Sequence, residues 1–268
     1  MLRCMPGQAV ATRRFWWDRT RPTDADVHPL RAVIFDLDGA MADIERDGQR
    51  EAFNAAFAAH ALDIRWDEDD YAGLLAIRDE RRRVATDLRR RGYGAAADEM
   101  ANDLLNTKNA VFADCVLGGD VAARPGLIDA VMSCFVAGVW VAVVSTGRRA
   151  WVQPLVRQLI GDGLVETIVT ADDVTGTDPR TDVYELALWE LGVPPESALA
   201  VVGSAESMRA ASRMGLPAVV VPTAYTASQD FTAAVAVRWH YDGAESLLAP
   251  DCQRLHRCWW MSRRRGAA

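Results

Sequence analysis

Asp36 and Asp38 stand two residues apart at the end of a short β-branched and aromatic run, Arg31-Ala32-Val33-Ile34-Phe35. In an extended loop, residues two apart can point into one crevice. One carboxylate can then attack a phosphorus atom while the other manages the proton of the leaving group. The backbone N–H groups of the turn that follows, at Gly39, can hold phosphate oxygens. An Asp-x-Asp after a strand is weakly specific when it stands alone, so the rest of the chain must supply the context. Three more polar clusters end apolar runs: Ser145-Thr146, Asp172-Asp173 and Gly203-Ser204.

The elements that must position these groups follow from periodicity. Residues 31–35, 139–144, 165–170, 198–202 and 217–221 read as buried strands. Helical stretches lie between them at 127–137, 149–160, 181–191 and 205–214. From about 46 to 122 apolar residues recur at three and four among alanines, arginines and acids, which predicts helices. Alternating strands and helices predict an α/β fold with a parallel, Rossmann-like sheet. Ligands of such sheets sit beyond the carboxyl ends of the strands, where every polar cluster above falls. The expected division is an extension at 1–30, a core at 31–46 and 124–248, a helical cap at 47–123 and a basic tail at 249–268. The helical block leaves directly after the first strand, so it can lie over the same sheet edge as a lid.

Composition narrows the function classes. The 268 residues are 50% hydrophobic and 25% charged, enough for a full core and against wholesale disorder. Five cysteines without Cys-x-x-Cys spacing argue against a disulfide scaffold or zinc cage and for a reducing, cytoplasmic setting. No run approaches the roughly 18 apolar residues of a membrane span, and no secretory signal is visible. A net charge of −7 argues against nucleic acid as the main ligand. That charge divides into +2 over 1–30, −13 over 31–248 and +4 over 249–268. The termini read as poorly ordered extensions; the alternative for Cys258–Arg265 is a docking segment for an anionic surface. Lysine occurs once, at Lys108.

Asp36-Leu37-Asp38-Gly39 resembles the first motif of the haloacid dehalogenase superfamily. Ser145-Thr146 resembles the second, and Ser204 with Ala210-Ala211 and Met214-Gly215-Leu216 the helix after the fourth. The resemblance narrows to the CbbY-type sugar-phosphate phosphatases through Glu45–Asn54, Lys108, Arg124-Pro125-Gly126, Val141–Thr146 and Tyr225–Phe231. It implies a Rossmann-like core with an inserted helical cap and hydrolysis of a small phosphorylated sugar. Asp36 would be the nucleophile that forms an aspartyl-phosphate, and Asp38 the general acid and then base. Mg²⁺ would bind the Asp36 carboxylate, the Asp38 carbonyl and a fourth-motif acid. Ser145, with Thr146 and Gly39, would hold the phosphoryl group. A third-motif lysine would neutralise it, and cap residues Glu45, Arg50, Arg83 and Lys108 would meet the substrate.

The chain departs from this pattern at its charges. The third motif's Lys-Pro is Asp178-Pro179, and the fourth motif's Glu-Asp-Ser is Val202-Gly203-Ser204. Ala40 replaces the small hydroxyl residue after the first-motif glycine, and Asp79–Arg83 replaces the cap's Gly-Gly-Lys-Glu-Arg. A lysine about 5 Å from the nucleophile is worth roughly 3 kcal/mol at an effective dielectric near 20, and an acid there repels by a similar amount. Arg148, Arg149 and Arg180 are candidate replacements for the lysine, and Glu206, Asp172, Asp173 or Asp178 for the metal ligand. The cap arginines at 81–83 and 89–91 read as a solvated face, with Arg83 the best candidate for a ligand contact. Two functions remain on the table: a phosphatase working through Asp36, with a phosphomutase as a variant, and an inactive binding or regulatory protein, with a protein partner, on the same scaffold. A dehalogenase reading fares no better than the phosphatase, since its nucleophilic aspartate also needs a nearby cation.

Overall fold

A computed structural model describes residues 27–243 and 246–266. Five central strands appear where apolar runs predict them: β1 (Ala32–Asp36), β2 (Trp140–Val144), β3 (Thr167–Val169), β4 (Ala198–Val202) and β5 (Ala218–Val220), joined by the two-residue β6 (Ala236–Val237). All pair in parallel, in the order β3-β2-β1-β4-β5-β6. The order reverses between β1 and β4, the switch point at which such sheets open a crevice.

Both faces of the sheet are covered, which is why its strands are apolar except for Asp36 at the end of β1 and Thr167 at the start of β3. Val33 and Phe35 of β1 pack with Val141, Val143 and Val201 against α5 (Leu127–Val136), α6 (Arg149–Ile160) and α9 (Ala249–Gly266). Ile34, Val144 and Val202 face the other way, onto α7 (Pro179–Leu191) and α8 (Ala205–Arg213). The helix α7 begins at Pro179 rather than at 181, because proline's missing N–H costs nothing in a first turn.

The C-terminal segment departs from the expected poorly ordered tail: it is the helix α9. Ala249, Cys252, Leu255 and His256 recur on one face and are buried against the sheet domain, with His256 bonding the Glu196 carbonyl at 2.9 Å. Five arginines disguise that stripe in the sequence. The N-terminal extension lies outside the described residues up to position 26. No described helix is long and apolar enough to cross a membrane.

Between β1 and β2 the chain inserts α1 (Arg50–Ala59), α2 (Glu68–Leu74), α3 (Glu80–Arg90) and α4 (Ala97–Gly118), entered through a π-helical turn at Glu45–Gln49. These helices bury a cluster of their own, centred on Phe53, Phe57, Trp66, Tyr71 and Leu104. Buried Asn54 binds the Trp66 backbone from both sides, its amide donating to the carbonyl at 3.0 Å and its oxygen accepting from the N–H at 2.8 Å. The Asn54→Ala variant orphans that N–H, whereas the carbonyl keeps Arg50 at 3.2 Å. A loss of about 2 kcal/mol is expected in urea unfolding.

Candidate active site

β1 ends at Asp36, in register with Val144 of β2, so Asp36, Ser145 and the β4 end at Gly203 gather at one carboxyl edge. The turn after Asp36 is tightly held. Gly39 donates its N–H to the Ala42 carbonyl at 2.7 Å, at a φ of +78° that suits glycine. Buried Tyr241 donates its hydroxyl to the Ala40 carbonyl at 2.8 Å. Arg124 binds three carbonyls at once: Gly39 at 2.8 Å, Pro222 at 3.0 Å and Trp239 at 3.2 Å. Removing it in Arg124→Ala is expected to cost on the order of 3 kcal/mol and to lower kcat more than it raises KM, since it holds the turn rather than a ligand. Thermal melting and initial rates read both effects.

The two aspartates sit in different surroundings. Burial pushes the Asp36 carboxyl up to about 6, opposed by the Ser207 hydroxyl, the Arg180 charge and the Asp38 N–H. Burial among the crevice walls and the Glu45, Asp36 and Asp43 carboxylates push Asp38 well above the usual range, against Arg180. Solvent reaches the Asp38 side chain, so water softens the burial penalty while the acidic neighbours remain. At neutral pH Asp36 is therefore mainly ionised, while Asp38 is shifted toward its protonated form. Two carboxyls with separated proton affinities are what a nucleophile and its general acid require.

Other expected site residues divide. Ser145 is buried at the β2 end, and its hydroxyl accepts the Gly147 N–H at 3.0 Å; Thr146 beside it is exposed. Glu45, Arg83 and Lys108 come together in the insertion. The Tyr71 hydroxyl donates to Glu45 at 2.7 Å, Arg83 donates to that hydroxyl at 3.3 Å, and Lys108 reaches both oxygens of Glu80 at 3.1 Å. Arg83 is 5% exposed, whereas Arg81, Arg82 and Arg89–Arg91 face solvent. Arg50 goes elsewhere: it binds the Arg46 and Trp66 carbonyls and lines a groove of about 820 Å³ with Asp47, Glu51 and Asp114.

The residues proposed as replacements for the missing charges settle in their own pairs. Asp178 turns onto Thr181 at 2.7 Å and Arg213 at 3.0 Å, and both hold its carboxyl below the ordinary value. Asp173 is taken by Arg149 at 2.6 Å and by Thr170 at 2.7 Å, and Asp172 accepts the Arg149 N–H at 2.8 Å. Glu206 meets Arg180 at 3.5 Å. Of the arginines considered, Arg180 is the one whose charge acts on both Asp36 and Asp38. The phenol of Tyr184, four residues along α7, is buried without a hydrogen-bond partner and feels the charges of Asp36 and Arg180.

The Mg²⁺ site implied by the resemblance does not fit these residues. A Cβ placed on Gly203 would lie 2.5 Å from the Gly39 Cα and carbonyl carbon and 2.8 Å from the Ala40 nitrogen. The two loops touch backbone to backbone, filling the space from which a fourth-motif carboxylate would project. Among the described residues no group of three or more His, Cys, Asp or Glu is placed to hold a metal ion.

Sequence reasoning missed Arg124, Ser207 and Tyr71 as parts of this site. Arg124 and Ser207 become legible only when sheet order brings distant loops to Asp36, and Tyr71 reads as an ordinary core aromatic of an amphipathic helix.

Comparison with known proteins agrees with the geometry. The family profile described as haloacid dehalogenase-like hydrolase matches residues 30–233. Protein CbbY of Cereibacter sphaeroides is 35% identical over 208 residues, covering 76% of this chain and 90% of that protein. A CBBY-like protein of Arabidopsis thaliana is 33% identical, over 77% of this chain and 67% of its own. The crystal structure of CbbY from Rhodobacter sphaeroides in complex with phosphate superposes with a TM-score of 0.65 at 32% identity, covering 83% of this chain and 99% of that one. A mutant of the same protein, in complex with xylulose-(1,5)bisphosphate, gives 0.66 at 32% identity, covering 84% and 99%. With its parallel sheet, its helical insertion after β1 and its Asp36-x-Asp38 loop, the chain belongs to the haloacid dehalogenase-like hydrolases and, among them, stands with the CbbY proteins, with altered third and fourth motifs.

Proposed function

We propose that the chain hydrolyses phosphate monoesters of small phosphorylated sugars, with Asp36 as nucleophile. The observation that carries this reading is the Asp36/Asp38 pair at the switch point of the sheet, Asp36 buried and Asp38 open to solvent among acidic neighbours that favour its protonated form. The xylulose-bisphosphate complex of a CbbY relative supports the substrate class. The insertion acts as a cap on this reading, with Arg83 and Lys108 as its candidate contacts for substrate.

The bonds made and broken balance with these residues and water. An Asp36 carboxylate oxygen bonds to phosphorus as the ester P–O bond breaks, and the departing sugar oxygen takes the Asp38 proton. The ionised Asp38 then removes a proton from water, whose oxygen attacks the phosphorus. The bond between Asp36 and phosphorus breaks, and inorganic phosphate leaves with both carboxyls restored. Ser145, whose hydroxyl keeps its own proton to donate, is the candidate to hold a phosphoryl oxygen, whereas the Gly39 N–H is taken by the Ala42 carbonyl.

A reducing, cytoplasmic setting is part of the same reading, on five cysteines without Cys-x-x-Cys spacing. A panel of sugar mono- and bisphosphates, assayed for phosphate release with wild type and Asp36→Asn in parallel, tests the function. Release by the wild type alone is expected. Release by neither protein would overturn the enzyme reading and leave a binding protein on the same scaffold.

A further inference from the structure

We infer that the positive charge of this phosphate site is carried by Arg180, steered by Glu206, and that the site takes a phosphoryl dianion without a divalent metal. The inference rests on the reading of Asp36 as the phosphoryl-accepting group, and deepens it.

Three contacts point the same way. Gly39 and Gly203 meet backbone to backbone, so the floor between β1 and β4 has no room for a metal-binding carboxylate. Asp178, at the lysine position, is turned onto Thr181 and Arg213, which removes its repulsion from the crevice. Arg180 sits two residues on, in the first turn of α7, and its guanidinium meets Glu206, in the first turn of α8, at 3.5 Å. That pair ties together the first turns of α7 and α8, at the carboxyl edge of the sheet where Asp36 lies, and leaves the Arg180 side chain partly open to solvent. A guanidinium offers several N–H groups in a fixed fork, so it can bind two phosphoryl oxygens while one N–H stays on Glu206. Its charge also favours the ionised state of Asp36. The buried, unpartnered Tyr184 hydroxyl, in reach of the same two charges, marks a polar spot that nothing in the protein satisfies.

Calorimetric titration of the full chain with inorganic phosphate tests this. Wild type is expected to bind phosphate in EDTA, with no more than about a twofold change when Mg²⁺ is supplied. Arg180→Gln is expected to weaken binding by on the order of 10- to 100-fold, and Arg180→Lys, which keeps the charge but not the fork, by less. Both replacements lie on a half-exposed side chain, and unchanged melting curves would establish that each variant is folded. Phosphate binding that requires Mg²⁺, survives Arg180→Gln undiminished, or is absent from the metal-free wild type would each overturn the inference. Failure of the phosphatase reading looks different: Arg180-dependent phosphate binding with no turnover on any sugar phosphate.

Discussion

Asp36→Asn will lose turnover by roughly four orders of magnitude or more and will at the same time be more stable than the wild type at neutral pH. The activity loss follows because an amide cannot form the bond to phosphorus. The stability gain follows from linkage. In the folded protein Asp36 titrates near 6, above its ordinary 3.8. Folding therefore favours its protonated form, and that favourable contribution is fully present below about pH 4 and lost as the pH rises through 6. At pH 7 the ionised carboxylate is a cost on the order of 3 kcal/mol, which asparagine avoids. Urea melts of the two proteins should separate at pH 7 and converge near pH 4. Equal stability at pH 7 would mean that Asp36 is better solvated than its burial implies. The same titration predicts that kcat/KM falls on the acid side of about pH 6, as Asp36 takes up a proton.

The second large effect is at Gly203. Restoring the acid in Gly203→Asp puts a Cβ 2.5 Å from the Gly39 backbone, where no side-chain rotation can relieve it. One loop must move, and Gly39 is pinned by Arg124 and Ala42 while the Gly203 carbonyl is pinned by the Thr226 hydroxyl at 2.8 Å. A loss on the order of 3 kcal/mol is expected. Gly203→Ala should lose nearly as much, because the Cβ is the atom that clashes. Neither variant should acquire Mg²⁺-dependent turnover. A stable Gly203→Asp protein that responds to Mg²⁺ would show that the loops part easily and that the floor is open.

The strands were legible because a sheet covered on both faces must be apolar throughout, and runs such as Val141–Val144 and Ala198–Val202 admit no other placement so close to turn residues. The Asp36/Asp38 pair drew notice by its place directly after a buried strand, but alone it was weakly specific, and the resemblance of the later motifs gave it its expected role. The two-residue β6 carries no such run, and α9 hides a buried stripe among arginines. The charge balance of the site lay further out of reach. That Asp178 is an acid where a lysine is expected can be read from the sequence. That it turns onto Arg213, leaving Arg180 to act on Asp36, depends on how α7 and α8 pack. Likewise the absence of an acid at Gly203 is visible in the sequence, whereas the backbone contact that leaves it no space is a property of the fold.

The central claim is that Asp36 accepts the phosphoryl group. Acid quenching of the wild-type reaction in steady state, followed by tryptic digestion and tandem mass spectrometry of the peptide from Ala32 to Arg46, tests it directly. That peptide also holds Asp38 and Asp43, so fragmentation must assign the site. One phosphoryl group on Asp36, absent from the Asp36→Asn protein, is the predicted result. Steady phosphate release with Asp36 unmodified and Asp36→Asn turning over at the wild-type rate would contradict it.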